Sequence, residues 1–266
     1  MPLISSSRKG VPILFLFAAA VGAAQDGERI LRESVAAHGG RERFLAIRDW
    51  RIVADRKLLD ESVTTEVYEE YLLRNGAAEK TLLVKKRGDS TLVFGHDGNS
   101  AFALDNGRLR DDEGASGEGY YRAHGEYYLR SLPFKWLDPG MNVEYAGEET
   151  TEGRTLDLLR IRAGENVGRA WKDVWVAAID RETRLLWEAR LTHHRETETW
   201  MSPSASGTTE IVYRYSDYRP VSGISFPHRL EYFSEGKKSG ENVIRRIAID
   251  SGVAAAIFSP ETHRAR

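Results

Sequence analysis

Histidines and carboxylates are the side chains of this sequence best suited to acid–base or metal chemistry. Seven His and forty Asp or Glu residues occur in 266 positions. His193 and His194 are adjacent, and neighbours on a strand point to opposite faces, so the two would not bind one ion together. There is no Cys, no His-x-His and no His-Glu-x-x-His spacing, so we predict no metal site. His228 alternates with apolar residues, which is more typical of a core or cavity-lining histidine than of a catalytic one.

Motifs for nucleophilic catalysis and for phosphate binding are also missing from the sequence. No Gly-x-Ser-x-Gly occurs, and residues 114–117 (GASG) fall in an acidic, flexible stretch rather than between a strand and a helix. Residues 164–168 lack the strand–glycine–helix context of a phosphate-binding loop. The carboxylates show no spacing that singles out a catalytic pair. The sequence therefore predicts no catalytic residue and no cofactor.

Aromatic side chains are the residues with most capacity to form a binding surface. Six Trp, eleven Tyr and nine Phe lie mostly in predicted strands and in the segment 120–137. The filling of a β core explains most of them. A curved sheet under a helical lid would also leave an apolar cavity for a lipid-like ligand, and the sequence leaves cavity and solid core equally open. The expected walls of such a cavity are Trp175, Trp187, Tyr213, Phe226, Leu230 and Tyr232 from the sheet, with Tyr128, Phe134 and Trp136 from the lid.

Residues 208–250 contain the clearest strands. In 208–215 and in 224–232, apolar and polar side chains alternate, and a period of two is typical of half-buried β-strands. The connections 219–223 and 234–240 carry the Pro or Gly that antiparallel hairpins use. Long helices do not separate the strands, so the fold class is mainly β (α+β) with a curved antiparallel sheet. Further strands are predicted at 50–59, 62–74, 78–86, 87–96, 100–104, 141–148, 155–163, 171–180, 185–196 and 242–250.

Two helices are predicted beside these strands. Residues 26–37 have apolar side chains at helical spacing, and Gly39-Gly40 provides the stop. We expect this helix to pack on the sheet as a cover. Residues 120–132 carry an aromatic stripe at helical spacing, and 133–140 contain two prolines that preclude a regular element. Together, residues 120–137 form a candidate lid over the apolar face of the sheet.

Two segments are predicted to be irregular. Residues 109–119 are acidic and rich in Gly, which predicts an exposed, mobile loop. Residues 252–266 are expected to form a loosely held tail. No internal repeat or low-complexity linker occurs, which favours one domain.

The N-terminus has the pattern of a secretory signal. Arg8 and Lys9 precede ten apolar residues at 11–20, and small residues follow up to position 24. The apolar run is far shorter than the ~20 residues of a membrane span, so we expect cleavage of residues 1–24 and no transmembrane segment in the mature chain. Without a Cys to carry a lipid, residues 25–266 should be one soluble domain. They contain 36 basic and 40 acidic residues, a net charge of −4 that does not favour nucleic-acid binding.

Three stretches carry a resemblance to a known family. They are residues 37–42 (AHGGRE), residues 128–134 followed by 138–140 and 143–145, and residues 215–227, where a Tyr-rich strand turns through Gly into Phe-Pro. In this order the chain resembles the bacterial lipoprotein-carrier superfamily with the LolA-like fold, and its uncharacterised secreted members in particular. The resemblance implies an unclosed antiparallel barrel covered by helices, periplasmic residence and binding of acyl chains or other lipid moieties. Because the chain lacks a lipidation Cys, it resembles the soluble carrier branch of this superfamily more than the membrane-tethered acceptor branch.

The expected function is that of a soluble periplasmic protein that binds a lipid or an acyl-chain-bearing ligand between sheet and lid. Such a protein would act in lipoprotein or lipid trafficking to the outer membrane. Its partners would be a lipid or a lipidated protein, together with a cell-envelope protein. Two other classes stay open: a cell-envelope hydrolase that uses His228 with acidic neighbours, and an envelope interaction module whose core is filled.

Overall fold

The computed structural model describes residues 14–59, 63–76, 78–194 and 207–265. The first thirteen residues of the predicted signal sequence therefore lie outside the described residues. The helices are α1 (Leu14–Ala37), α2 (Arg41–Ala46) and α3 (Ala115–Arg130), with 3₁₀ turns at Phe134–Leu137, Ala255–Phe258 and Pro260–His263. The strands are β1 (Asp49–Leu59), β2 (Val63–Asn75), β3 (Ala78–Arg87), β4 (Ser90–His96), β5 (Ala101–Asp105), β6 (Arg108–Leu109), β7 (Met141–Thr151), β8 (Arg154–Ala163), β9 (Val174–Asp180), β10 (Leu186–His194), β11 (Thr208–Val221), β12 (Ile224–Ser234) and β13 (Lys237–Ile249).

The strands form one antiparallel sheet in the order β6-β5-β4-β3-β2-β1-β13-β12-β11-β10-β9-β8-β7. Each half of the chain is a meander, and the halves join where β1 pairs with β13. The end strands β6 and β7 do not pair with each other, so the curved sheet is not closed into a barrel. The expected mainly β fold with a curved, unclosed antiparallel sheet is confirmed.

Helix α1 covers the concave face of the sheet at β7 and β8. Gly27 permits a close approach, because a Cβ at this position would lie 2.7 Å from the backbone N of Tyr145 in β7. At the end of the helix, the backbone N of Ser225 donates a hydrogen bond to the carbonyl O of His38 (2.9 Å). The predicted cover helix is thus confirmed, and it is fixed to both β7 and the β11–β12 turn.

Helix α3 covers the other half of the concave face and contacts β2, β3, β4 and β5. Gly119 lies directly on the backbone of Phe102 in β5, where a Cβ would clash with the carbonyl. The helix begins at Ala115, so the prediction of a loop as far as residue 119 is wrong over its last part. Glycine suggested a loop there, but at Gly119 its role is to let a helix lie close to a strand.

The C-terminal tail packs against the convex face of β3–β5. Phe258 is only 1% exposed and lies in a second apolar cluster with Leu82, Val93, Phe102 and Leu104. The backbone N of Ala265 also donates to the carbonyl O of Gly107 (3.0 Å). The prediction of a loosely held tail is therefore wrong. These strands are apolar on both faces, and the tail buries the face that α3 leaves uncovered.

Candidate functional site

A cavity of about 1040 Å³ lies between α3 and the half of the concave face formed by β9–β12. Leu191 and Ile211 are among its apolar wall residues, with Met141 of β7. The 164–173 connection and the β12–β13 hairpin border the cavity through Arg169 and Ser239. Its volume is at the upper end of the ~300–1,000 Å³ of typical ligand pockets. The described structure therefore has a hollow rather than a filled interior at this place.

Four of the residues expected in the cavity wall line the cavity: Tyr128, Trp175, Tyr213 and Tyr232. Their rings follow one another, with centroids 5.8 Å apart for Tyr128 and Trp175, 5.9 Å for Trp175 and Tyr213, and 5.7 Å for Tyr213 and Tyr232. The strand residues reach the same face because β9, β11 and β12 each turn alternate side chains towards α3. The result is a continuous aromatic wall that joins the sheet to the helix.

Four other expected wall residues lie in the core behind the cavity. Phe226 packs edge-on against Trp50, and Phe134 stacks on Phe44 with ring centroids 4.2 Å apart. Trp136 lies 6.0 Å behind the ring of Trp175. Leu230 and these three aromatic residues are all at most 3% exposed and do not line the cavity. They support the wall and would not contact a ligand.

The structure places Trp187, the remaining expected wall residue, on the convex face. Its ring lies under the guanidinium groups of Arg154 and Arg214, at 4.5 Å and 5.5 Å. A bulge in β10 opposite β9 lies between Leu186 and Glu188 and interrupts the alternation of side chains at this residue. Counting alternate residues back from Leu191 therefore gives the wrong face for Trp187.

A buried ion pair that the sequence did not reveal connects α3 to the sheet at one end of the cavity. Arg56 of β1 donates to the carboxylate of Glu126, to Asn242 Oδ1 (3.0 Å) and to the hydroxyl of Tyr232 (3.2 Å). Each side chain of the pair is 10% exposed. Burial opposes the charged form of Glu126, but the positive charges of Arg56 and Arg130 outweigh it and lower the pKa of the carboxyl.

A second buried pair lies beneath α3, away from the cavity. Arg130 Nε is 3.6 Å from Glu70 Oε2, and Arg130 also donates to the hydroxyl of Tyr68. Burial raises the pKa of Glu70 to about 8 and lowers the pKa of Lys85 to about 8. The sequence carried one signal of this cluster, since Glu70 alternates in β2 with the inward-facing Tyr68 and Leu72. The buried Arg130 guanidinium and its polar neighbours therefore hold α3 on the sheet in addition to the apolar packing.

Further polar groups lie where the 164–173 connection meets α3 and β10. Asp173 accepts hydrogen bonds from His193 Nδ1 (2.8 Å) and from the backbone N of His194 (2.9 Å). In α3, Tyr120 stacks on His124 with ring centroids 4.8 Å apart. Burial lowers the pKa of His124 to about 4, so this ring is neutral at pH 7. These groups can hold the polar end of a ligand whose apolar part contacts the aromatic wall.

His228, the residue of the alternative hydrolase hypothesis, lies away from the cavity. His228 is 7% exposed, its Nδ1 is 3.1 Å from the carbonyl O of Phe226, and it does not line the cavity. Among residues 14–59, 63–76, 78–194 and 207–265, no group of three His, Asp or Glu side chains has the geometry of a metal site. Within the same residues, no helix is both long enough and apolar enough to cross a membrane.

Comparison with known proteins relates the fold to solved structures. No family model matches the sequence, and no curated protein matches it significantly. A DUF1329 family protein from Desulfovibrio piger is similar over 91% of this chain and 99% of that chain, with a TM-score of 0.60 and 12% identity. A putative outer membrane lipoprotein-sorting protein domain from Vibrio parahaemolyticus is similar over 90% and 98%, with a TM-score of 0.57 and 12% identity. These likenesses show a shared fold, and the LolA-like architecture that the sequence resemblance implied is confirmed.

Proposed function

We propose that the protein is a periplasmic binding protein for a lipid or another acyl-chain-bearing ligand, which it holds in the cavity between α3 and the sheet. The cavity of about 1040 Å³ with its continuous aromatic wall is the observation that carries the proposal. The similar Vibrio protein is named for lipoprotein sorting, which agrees with a ligand of this class. Export by residues 1–24 and a role in lipid or lipoprotein trafficking to the outer membrane are parts of the proposal.

The apolar wall can supply the free energy of such binding. Each methylene removed from water contributes about 0.8 kcal/mol. Roughly ten methylenes therefore contribute about 8 kcal/mol, which is within the 4–15 kcal/mol estimated for the cost of association. A fatty acyl chain thus offers enough apolar surface, whereas a small polar ligand would bury too little. The polar part of the lipid, or a protein that carries the lipid, would remain at the opening of the cavity.

The proposal is tested by identifying what the cavity holds and then filling it. Protein purified without detergent is analysed by native mass spectrometry, by lipid extraction and by uptake of a fluorescent fatty acid. Ile211→Trp should abolish uptake, because Ile211 lines the cavity and the larger ring would occupy it. Val212→Trp is the matched control, since the adjacent residue of β11 points to the other face and is also partly buried.

Retained uptake in Val212→Trp and its loss in Ile211→Trp would support binding in the cavity. If the unmodified protein carries no lipid and takes up no fatty acid, the proposed function is wrong. Equal uptake by the two variants would place the binding site elsewhere and would also contradict the proposal.

A further inference from the structure

Among the described residues, the cations and carboxylates that line the cavity are not equal in number. The cations are Arg56, Arg122, Lys135 and Arg169, and the carboxylates are Glu126, Asp138 and Asp173. Every carboxylate of this set is already engaged. Glu126 pairs with Arg56, Asp138 pairs with Lys135 (2.8 Å) and with Arg41 outside the lining (3.2 Å), and Asp173 accepts from His193 and His194. Among the described residues, no lining carboxylate is left to neutralise a further cation.

Arg169 is the lining cation that lacks an ion-pair partner among the described residues. Arg56 and Lys135 have the partners given above, and Arg122 Nε lies 3.4 Å from Glu118. The guanidinium of Arg169 instead lies over the ring of Tyr120 in α3, with Cζ 4.1 Å from the ring centroid. Its side chain is exposed at the opening of the cavity. An unpaired, oriented guanidinium at this place can bind an anion from outside.

The groups around Arg169 leave its positive charge uncompensated. Tyr120, on which it lies, stacks on the neutral ring of His124. Glu79, the carboxylate that acts on both rings, is itself paired with Lys135 (3.4 Å) and with Arg74 (3.2 Å). The contact with Tyr120 covers one face of the planar guanidinium, and the N–H groups, which lie in its plane, remain available for a phosphate or carboxylate.

We infer that the ligand has an anionic head group, a phosphate or a carboxylate, that Arg169 binds at the opening of the cavity while the acyl chain contacts the aromatic wall. The inference rests on the proposed function and adds a head-group preference to it. A guanidinium binds such groups through two parallel hydrogen bonds. Because Arg169 is exposed, water and salt screen the interaction, so we expect a preference of about two- to fivefold rather than a strict selection.

The test compares two lipids that share their acyl chains and differ in head-group charge. Fluorescent phosphatidic acid and the matching diacylglycerol, which lacks the phosphate, are titrated into the mature protein at low salt. The unmodified protein should bind phosphatidic acid about two- to fivefold more tightly. Arg169→Gln should remove this preference and leave the affinity for diacylglycerol unchanged. Arg160→Gln is the matched control, because Arg160 is exposed on β8 between the inward-facing Leu159 and Ile161.

The outcomes separate this inference from the proposed function. If the protein binds both lipids equally, or if Arg169→Gln keeps the preference, Arg169 does not bind the head group and the inference is wrong, although lipid binding stands. If neither lipid binds, the proposed function itself fails. Glycerol phosphate without acyl chains should compete only weakly, and competition as strong as that of the lipid would show a site for a free anion instead. Unchanged melting temperatures of both variants exclude unfolding as the cause.

Discussion

Replacing Glu126 with Ala should destabilise the protein strongly, because it would leave the Arg56 guanidinium charged and buried beneath α3. Glu126 is the carboxylate partner of Arg56, and the remaining acceptors, Asn242 Oδ1 and the Tyr232 hydroxyl, are neutral. Only 10% of the Arg56 side chain is exposed, so water from the cavity can replace the lost carboxylate only in part. An arginine does not escape this cost by losing its proton.

The expected magnitude follows from the burial of both members of the pair. Removal of one partner of a buried ion pair costs about 3–5 kcal/mol, since an uncompensated charge remains. Glu126→Gln keeps an acceptor of the same shape and should cost less. Arg56→Met combined with Glu126→Leu removes both charges at similar volume and should change the stability by less than about 2 kcal/mol. The two positions should therefore show a coupling energy of at least about 2 kcal/mol.

Urea unfolding followed by circular dichroism measures these differences, with the free energy of unfolding extrapolated to water. The variants should share the slope of the unmodified protein, because the same surface is exposed on unfolding. A loss below about 1 kcal/mol for Glu126→Ala would refute the reasoning, since the charge would then be solvated. Arg56→Met and Glu126→Leu are also made singly, and a double variant that loses the sum of these two single losses would refute the reasoning as well.

Two further predictions concern Glu70 and the glycines of α3. The pKa of Glu70 is raised from 4.5 to about 8, so between these pH values the folded state binds a proton that the unfolded state has lost, and stability falls as the pH rises. His38 and His124 have pKa values lowered to about 4 and have the opposite effect on stability, but only below pH 6.5. Unfolding in urea at pH 6.5 and pH 8 should show this fall, and Glu70→Gln should remove it; an equal fall in both proteins would contradict the assignment. Gly119→Ala should lower the melting temperature by an amount that corresponds to about 1–3 kcal/mol, because the new methyl group would clash with β5. Gly125→Ala has open space around the new Cβ and should raise stability by up to about 1 kcal/mol. Melting temperatures that shift in the same direction in both variants would show that the contact of Gly119 with β5 is unimportant.

Sequence patterns predicted the strands well where one face of a strand is buried and the other is exposed. In β11 and β12 the inward positions, such as Tyr213, Tyr215 and Phe226, alternate with polar residues, so the period of two identifies both strand and face. The same pattern failed at Trp187, because a bulge adds a residue that no sequence period announces. One such residue is enough to move a side chain from the concave to the convex face.

The pattern was less informative where a strand is buried on both sides. In β3, Leu82 faces the C-terminal tail and Leu83 faces α3, so the strand has a continuous apolar run instead of an alternation. Nothing local to residues 252–266 indicates that Phe258 covers this face. The pairing of Arg56 with Glu126 was equally invisible, because the two residues lie 70 positions apart and meet only in the folded chain.

The contrast between the two halves of the sheet explains why a cavity remains open in the fold. Over β2–β5, α3 is held by the close contact of Gly119 with β5 and by the buried pair of Arg130 with Glu70. The helix cannot shift towards β9–β12 to fill the space without breaking these contacts, and the buried Arg130 guanidinium would then lose its polar partners Glu70 and Tyr68, which is costly. Tyr128 and Tyr232 therefore stay partly exposed beside the cavity, whereas Trp175 and Tyr213 are only 8% and 7% exposed, and filling the space would bury more apolar surface. A fold that keeps such a surface open at this cost is suited to a ligand that buries it instead.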